Sequence, residues 1–202
     1  MRYELTQPVI NPLEIKKSQF ITWFVPIKDK AEAKAWLEKS KTDYPDARHH
    51  CYAYVMGDSP NNQTAAMSDD GEPSGTAGKP MLNVLQHKPI NNVLVIVIRY
   101  FGGIKLGAGG LVRAYSQAVE QAYQIAEQEK LLAKVIKKVT LAVTVSFSEE
   151  QWLRHQCAIC NGEIIDVSYS ENVLVNIKIA ESELATMQEA LIARSISFKA
   201  VP

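Results

Sequence analysis

Apolar and polar positions divide the chain into two successive series of elements. Residues 15–27 read as a strand, because Phe20, Ile21, Thr22, Trp23, Phe24 and Val25 are aromatic or β-branched. Asp29 suits a helix N-cap, and Ala33, Trp36, Leu37 and Ser40 recur at three- and four-residue spacing, predicting a helix to Lys41. Tyr44-Pro45-Asp46 ends it, and His49 to Met56 alternates loosely as a strand. Gly57 to Ala65 reads as a polar, mobile loop. Pro80 fits the first turn of a short helix to about His87. Asn91 to Tyr100 is apolar on both faces, the pattern of a buried strand. Leu111 to Glu129 then carries one apolar helical stripe of Leu111, Ala114, Tyr115, Ala118, Ala122 and Ile125.

The second series is more regular. Val135 to Phe147 alternates, with Val139, Leu141, Val143 and Val145 on one face. Ser148 and Gln151 have capping-box spacing and open a helix to about Cys160. Strands over Glu163–Tyr169 and Val173–Ile179 are joined by the polar turn Ser170-Glu171-Asn172. Ser182 caps a helix to Ala193, and Ser197 to Val201 is a last strand. The order β-α-β-β-α-β is the split βαβ, ferredoxin-like arrangement. With Lys130 to Ala133 as a linker, the chain reads as α+β, with domains at 1–133 and 134–202.

Composition narrows the class. The chain has 202 residues, 47% hydrophobic and 22% charged, as ordinary globular proteins are. No apolar run approaches the roughly 18 residues of a membrane span, and the start lacks a signal-peptide pattern. Three cysteines fit reduced thiols rather than a disulfide framework. The expectation is a cytoplasmic protein with no membrane association. Net charge is zero, but residues 1–137 hold 17 Lys+Arg against 14 Asp+Glu, and residues 138–202 hold 5 against 8. Bulk charge therefore gives no reason for non-specific nucleic-acid binding, and a polyanion site has to be a local patch on the first domain.

Eight of the ten glycines lie between Gly71 and Gly110, in two loops, Ser68–Pro80 and Arg99–Gly110. Neither loop is a known nucleotide fingerprint. Pro73 stands where Walker A needs its first glycine, and Pro80 where it needs the magnesium-binding hydroxyl. Gly107-Ala108-Gly109 is followed by Val112 where the dinucleotide fingerprint needs glycine. The physical logic of such loops survives. Gly109 and Gly110 begin a helix, whose terminal N–H groups attract anions. Arg99, Lys105 and Arg113 surround them in sequence, and Lys79 heads the other short helix. If the loops meet, Lys79, Arg99, Lys105 and Arg113 with the backbone of Gly102, Gly103, Gly109 and Gly110 form a phosphate- or nucleic-acid-binding groove. Tyr100 and Phe101 then offer a stacking face. The competing reading is that the glycines only make turns and let helix pack on strand.

Asp69, Asp70 and Glu72 have the oxygen ligands of a Mg²⁺ site, but Asp-Gly pairs also make turns, and turn-making is favoured because a hard cation needs further ligands. On a strand His49 and Cys51 share a face and His50 does not, which points to structural roles. Cys157 and Cys160 lack the second pair of a zinc site, and lie at a helix C-terminus rather than the N-terminus that activates a redox thiol. Ser68, Ser74 and Thr76 with His49 or His50 form no recognisable nucleophile motif, so no catalytic set is assigned.

The two glycine loops, with Leu111-Val112-Arg113-Ala114-Tyr115 and Pro45-Asp46-Ala47-Arg48-His49-His50-Cys51, resemble the IMPACT family in its bacterial YigZ branch, over nearly the whole chain. The resemblance implies a first domain like domain 2 of ribosomal protein S5, and a ferredoxin-like second domain similar to the end of elongation factor G. Eukaryotic relatives regulate translation and carry an extra N-terminal domain, for which the given residues hold no counterpart. The expectation is a regulatory binding protein that contacts RNA or a ribosome-associated protein, with no cofactor. The alternative is a Mg-dependent enzyme acting on a nucleotide or small phosphorylated substrate.

Overall fold

A computed structural model describes residues 2–57 and 63–201. The chain divides into two compact units, Met1–Val135 and Ile136–Pro202, against the sequence reading of 1–133 and 134–202. In chain order the first unit contains β1 (Tyr3–Leu5), β2 (Val9–Ile15), β3 (Ser18–Pro26), α1 (Lys30–Asp43), β4 (His49–Met56) and β5 (Thr64–Ser68). It continues with α2 (Gly78–His87), β6 (Ile90–Asn91), β7 (Val93–Tyr100), α3 (Ala108–Gln128) and β8 (Leu132–Lys134). The second contains β9 (Lys138–Val145), α4 (Glu150–Ile159), β10 (Glu163–Tyr169), β11 (Val173–Ala180), α5 (Leu184–Ala193) and β12 (Ser197–Val201).

The first unit is built on an antiparallel sheet ordered β2-β3-β7-β4-β5. Its central strand is apolar on both faces because helices cover both. Val93, Val95 and Val97 pack with Met81 and Leu85 of α2 and Tyr115, Ala118 and Val119 of α3. Leu94, Ile96 and Ile98 pack with Trp23, Ala33 and Trp36 on the α1 side. The period of two carries this division to the strand end, so Arg99 falls on the α2–α3 face. Across the ladder it pairs with Phe20 of β3 and His49 of β4, which share that face.

Several elements differ from the sequence reading. The strand expected over 15–27 is β3, but it starts at Ser18: Ile15 ends β2, and Lys16 and Lys17, with φ of 48° and 64°, make the hairpin turn between the two strands. β2 is an edge strand, which is where a sheet accepts Pro12. The loop expected at 57–65 falls mostly on residues 58–62, outside the described residues, and Thr64–Ser68 pairs with β4. The expected linker, Lys130 to Ala133, overlaps β8, which pairs with β1.

In the second unit the sheet order is β10-β11-β9-β12, all antiparallel. Leu153 and Cys157 of α4, with Met187 and Leu191 of α5, cover one face over Leu141, Val143, Val175 and Ile177. The expected capping box is not formed: Ser146 donates to Glu149 Oε2 at 2.9 Å and closes the turn before α4. The Ser182 cap is replaced by a 3-10 turn over Glu181–Glu183.

Candidate functional site

The acidic loop after β5 is organised by Asp69. Its Oδ2 accepts from the Gly75 amide at 2.8 Å, and its Oδ1 accepts from Ala77 at 2.9 Å and Gly78 at 2.8 Å. Burial works toward a higher pKa, but the three N–H bonds outweigh it and hold the carboxyl below the usual carboxylate range. Asp69 therefore occupies the N-terminus of α2, and that end is closed to an outside anion. A Cβ at Gly78 would stand 2.9 Å from the Ser68 backbone, so only glycine lets the helix start here.

Asp70 ties the loop to β4. Its Oδ2 accepts from the His50 amide at 2.7 Å, and its carbonyl accepts from His49 Nδ1 at 2.9 Å. A carbonyl can only accept, so Nδ1 carries the hydrogen and His49 Nε2 is left for other partners. On the opposite face, His50 Nδ1 lies 3.1 Å from Ser40 Oγ. Burial is the main cause of its lowered pKa, helped by Lys41 and opposed by Asp70.

Glu72 turns inward. Its Oε1 accepts from Arg99 Nη1 at 2.5 Å and from the Tyr115 hydroxyl at 2.9 Å. The Cys51 thiol donates to the Asp69 carbonyl at 2.9 Å and lies 3.3 Å from Tyr115 Oη. Burial pushes that thiol up to about 12, which makes it inert. Asp69, Asp70 and Glu72, weighed as Mg²⁺ ligands against turn-making, are thus each engaged by N–H or O–H donors. Among the described residues no group of three or more His, Cys, Asp or Glu side chains is placed to hold a metal ion, so the acidic loop does not fit that cation. Cys157 and Cys160 are buried free thiols whose pKa values burial raises, so a reactive pair is not present there either.

The second loop starts where β7 ends. Gly102 donates its amide to Ser18 Oγ at 3.2 Å, and a Cβ there would fall 1.9 Å from the Lys17 carbonyl carbon. Gly107, at φ 72°, is the N-cap of α3, with no side-chain bond and no acidic residue in the first turn. The amides that open this 21-residue helix therefore keep the partial positive charge of a bare N-terminus.

The two loops meet. Glu72 and Pro73 of the first, with Phe101, Lys105, Leu106 and Gly107 of the second, line one cavity of about 330 Å³. Arg48 just before β4, His49 at its start and Arg99 near the end of β7, with Ala108 and Leu111 from α3, complete it. Its charged lining is Arg48, Arg99 and Lys105 against Glu72, a formal net of +2. Of the residues expected to form a groove, Arg99 and Lys105 line the cavity; Lys79, Gly102, Gly103, Gly109, Gly110 and Arg113 do not. Arg99 requires a correction. Its side chain is 8% exposed and paired with Glu72, so it is an internal cation rather than a solvent-facing phosphate contact. Gly102 is a packing residue. Gly109 and Gly110 stand in the first turn of α3, and Arg113 folds back to within 3.7 Å of where a Gly109 Cβ would be. Lys79 is exposed on α2, whose end Asp69 already fills.

Sequence reasoning missed Arg48 and His49 as lining residues. The signal is parity: His49 is on the β4 face that carries Cys51, Ala53 and Val55 into the core under α2 and α3.

Fold and site together define a two-unit α+β protein with a cationic cavity beside a bare helix N-terminus. The Impact N-terminal domain family matches residues 16–123, and a domain of unknown function, DUF1949, matches residues 143–195. The chain is 36% identical over 187 residues to an IMPACT family member of Haemophilus influenzae, covering 93% of this chain and 89% of that one. It is 38% identical over 185 residues to IMPACT family member YigZ of Escherichia coli, covering 91% and 88%. A crystal structure described as an hypothetical protein aligns with TM-score 0.68 at 34% identity, over 100% of this chain and 97% of that one. The chain belongs to the IMPACT family. Among the described residues no helix is long and apolar enough to cross a membrane.

Proposed function

We propose that the chain is a cytoplasmic regulatory protein of translation that binds RNA through the cationic mouth of the cavity between its glycine loops. Family membership supports the regulatory part, through the resemblance to translation regulators. The carrying observation is the meeting of Arg48, Lys105 and the uncapped N-terminus of α3 around one opening. Cations and helix-end amides that converge without offsetting carboxylates favour phosphate. Glu72 does not offset them, because Arg99 and Tyr115 already use it. The sheet order β10-β11-β9-β12 with both helices on one face supports a ferredoxin-like reading of the second unit, alongside an S5-domain-2-like reading of the first. Both folds recur in ribosome-associated proteins, a fold-level analogy in line with this reading.

Filter binding of single-stranded RNA over a salt series tests the proposal. The logarithm of affinity falls linearly with the logarithm of salt, and the slope flattens in Arg48→Ala/Lys105→Ala. Binding that is absent, independent of salt, or unchanged in the double variant overturns it.

A further inference from the structure

The geometry points to a ligand more specific than an RNA backbone: one nucleotide bearing a terminal phosphate monoester, seated whole in the cavity. This rests on the RNA-binding reading and narrows it.

Size is the first argument. A cavity of about 330 Å³ is near the low end of small-molecule sites. It admits one nucleotide, whereas a continuous strand needs an open groove along its backbone.

Charge is the second. The lining carries a formal net of +2. An internal phosphodiester carries one negative charge, whereas a terminal monoester carries between one and a half and two near neutrality. The monoester is the better match, and the bare helix end adds to the preference.

Unused donors are the third. Arg99 lines the cavity with its side chain 8% exposed, yet its Nε finds no acceptor among the described residues. Among the described residues its Nη2 is bonded to Ser18 Oγ, at the long distance of 3.5 Å. A buried guanidinium with spare N–H groups is uncommon, because buried donors nearly always find partners. A phosphate held by Arg48, Lys105 and the opening amides of α3 adds negative charge beside that guanidinium. The remaining wall suits a ring: Pro73, Leu106 and Leu111 are apolar, and Phe101 is 56% exposed. The Arg99 guanidinium already lies 5.8 Å from the Phe101 ring centre, and a base stacking on Phe101 adds to that cation–π contact.

Isothermal titration of the full chain separates the sources of this chemistry. The probes are adenosine 5′-monophosphate, adenosine, inorganic phosphate, and a hexanucleotide with either a 5′-phosphate or a 5′-hydroxyl. The monophosphate binds and adenosine does not. The 5′-phosphorylated hexamer binds at least tenfold tighter than its 5′-hydroxyl form. Arg48→Ala and Lys105→Ala, both at exposed positions and so able to fold, each remove most of that difference. Phe101→Ala weakens the monophosphate and leaves the response to inorganic phosphate in place. Equal binding of the two hexamers, with no binding of the monophosphate, overturns the inference and leaves the RNA reading standing. Binding of the monophosphate with no affinity for either hexamer supports the cavity site and overturns the RNA reading. Monophosphate binding that is unchanged in both cation variants overturns the placement.

Discussion

Glu72 and Arg99 form a buried ion pair, with Nη1 and Oε1 2.5 Å apart and side chains 3% and 8% exposed. The pair joins the acidic loop to the end of the central strand, and the Tyr115 hydroxyl completes it at 2.9 Å from the same oxygen. It fixes one wall of the cavity while consuming the one carboxylate that lines it among the described residues. Glu72→Ala leaves a buried guanidinium without its counter-ion, and the expected loss of stability is about 3–5 kcal/mol. Tyr115→Phe removes one bond to a charged acceptor, for about 1.5–3 kcal/mol. Urea unfolding checks both, and a loss under about 1 kcal/mol for Glu72→Ala contradicts the assignment.

Asp69→Asn keeps the shape but replaces one accepting oxygen with a donor facing N–H groups. It is expected to cost about 1–2 kcal/mol at neutral pH, at the low side because Asp69 is partly exposed to solvent. The folded pKa is depressed, so the stabilisation is present above the ordinary value of about 3.9 and is lost as pH falls through the folded value. Urea midpoints of the two proteins should differ at pH 6 and converge on acidification. A gap that stays constant to the lowest pH at which both fold refutes this role.

His50 gives a second pH signature, closer to neutrality. Burial lowers its pKa, so the unfolded chain binds the proton more readily than the folded one. Stability should therefore fall as pH drops below about 6.5, and level off once the folded form also protonates. His50→Gln should flatten that part of the profile. An equal slope in both proteins between pH 7.5 and 5.5 contradicts it.

Gly102 and Gly103 are adjacent but should respond differently. A Cβ at Gly102 meets the Lys17–Ser18 backbone at 1.9–2.3 Å, and backbone cannot give way as a side chain can. Gly102→Ala should cost about 3 kcal/mol, the upper end of the overpacking range. At Gly103 no atom lies within 4 Å, but φ is 85°, so Gly103→Ala should cost about 1–2 kcal/mol from backbone strain alone. Thermal melts of the two variants check the order, and a larger loss at Gly103 refutes it.

The sequence makes some of this legible. The alternation of Val139, Leu141, Val143 and Val145 predicts β9, and the two-sided apolar run predicts a central strand covered on both faces. β2 is not legible, because Pro12 argues against a strand until its place on the sheet edge is known. Nor is β8, since three residues are too few to show a period. Within the candidate site, the same parity that buries Val97 also buries Arg99. The partner of Arg99, however, lies 27 positions away on a loop with no periodic signal. The role of Asp69 at three amides is hidden for the same reason: loop closure is a three-dimensional arrangement that leaves only an Asp and several glycines in the chain. Gly102 looks like a ligand-approach glycine in sequence, and only the neighbouring hairpin turn reveals it as a packing one.

The proposed anion site lies where the two glycine loops meet the start of α3. A phosphate titration followed by amide chemical shifts tests it most directly. Saturable shifts confined to Gly107–Leu111, Arg48 and Lys105, and abolished in Arg48→Ala/Lys105→Ala, are expected. Shifts spread over the exposed lysines of both units, or strongest at Gly78 and Lys79 at the Asp69-filled end of α2, contradict it.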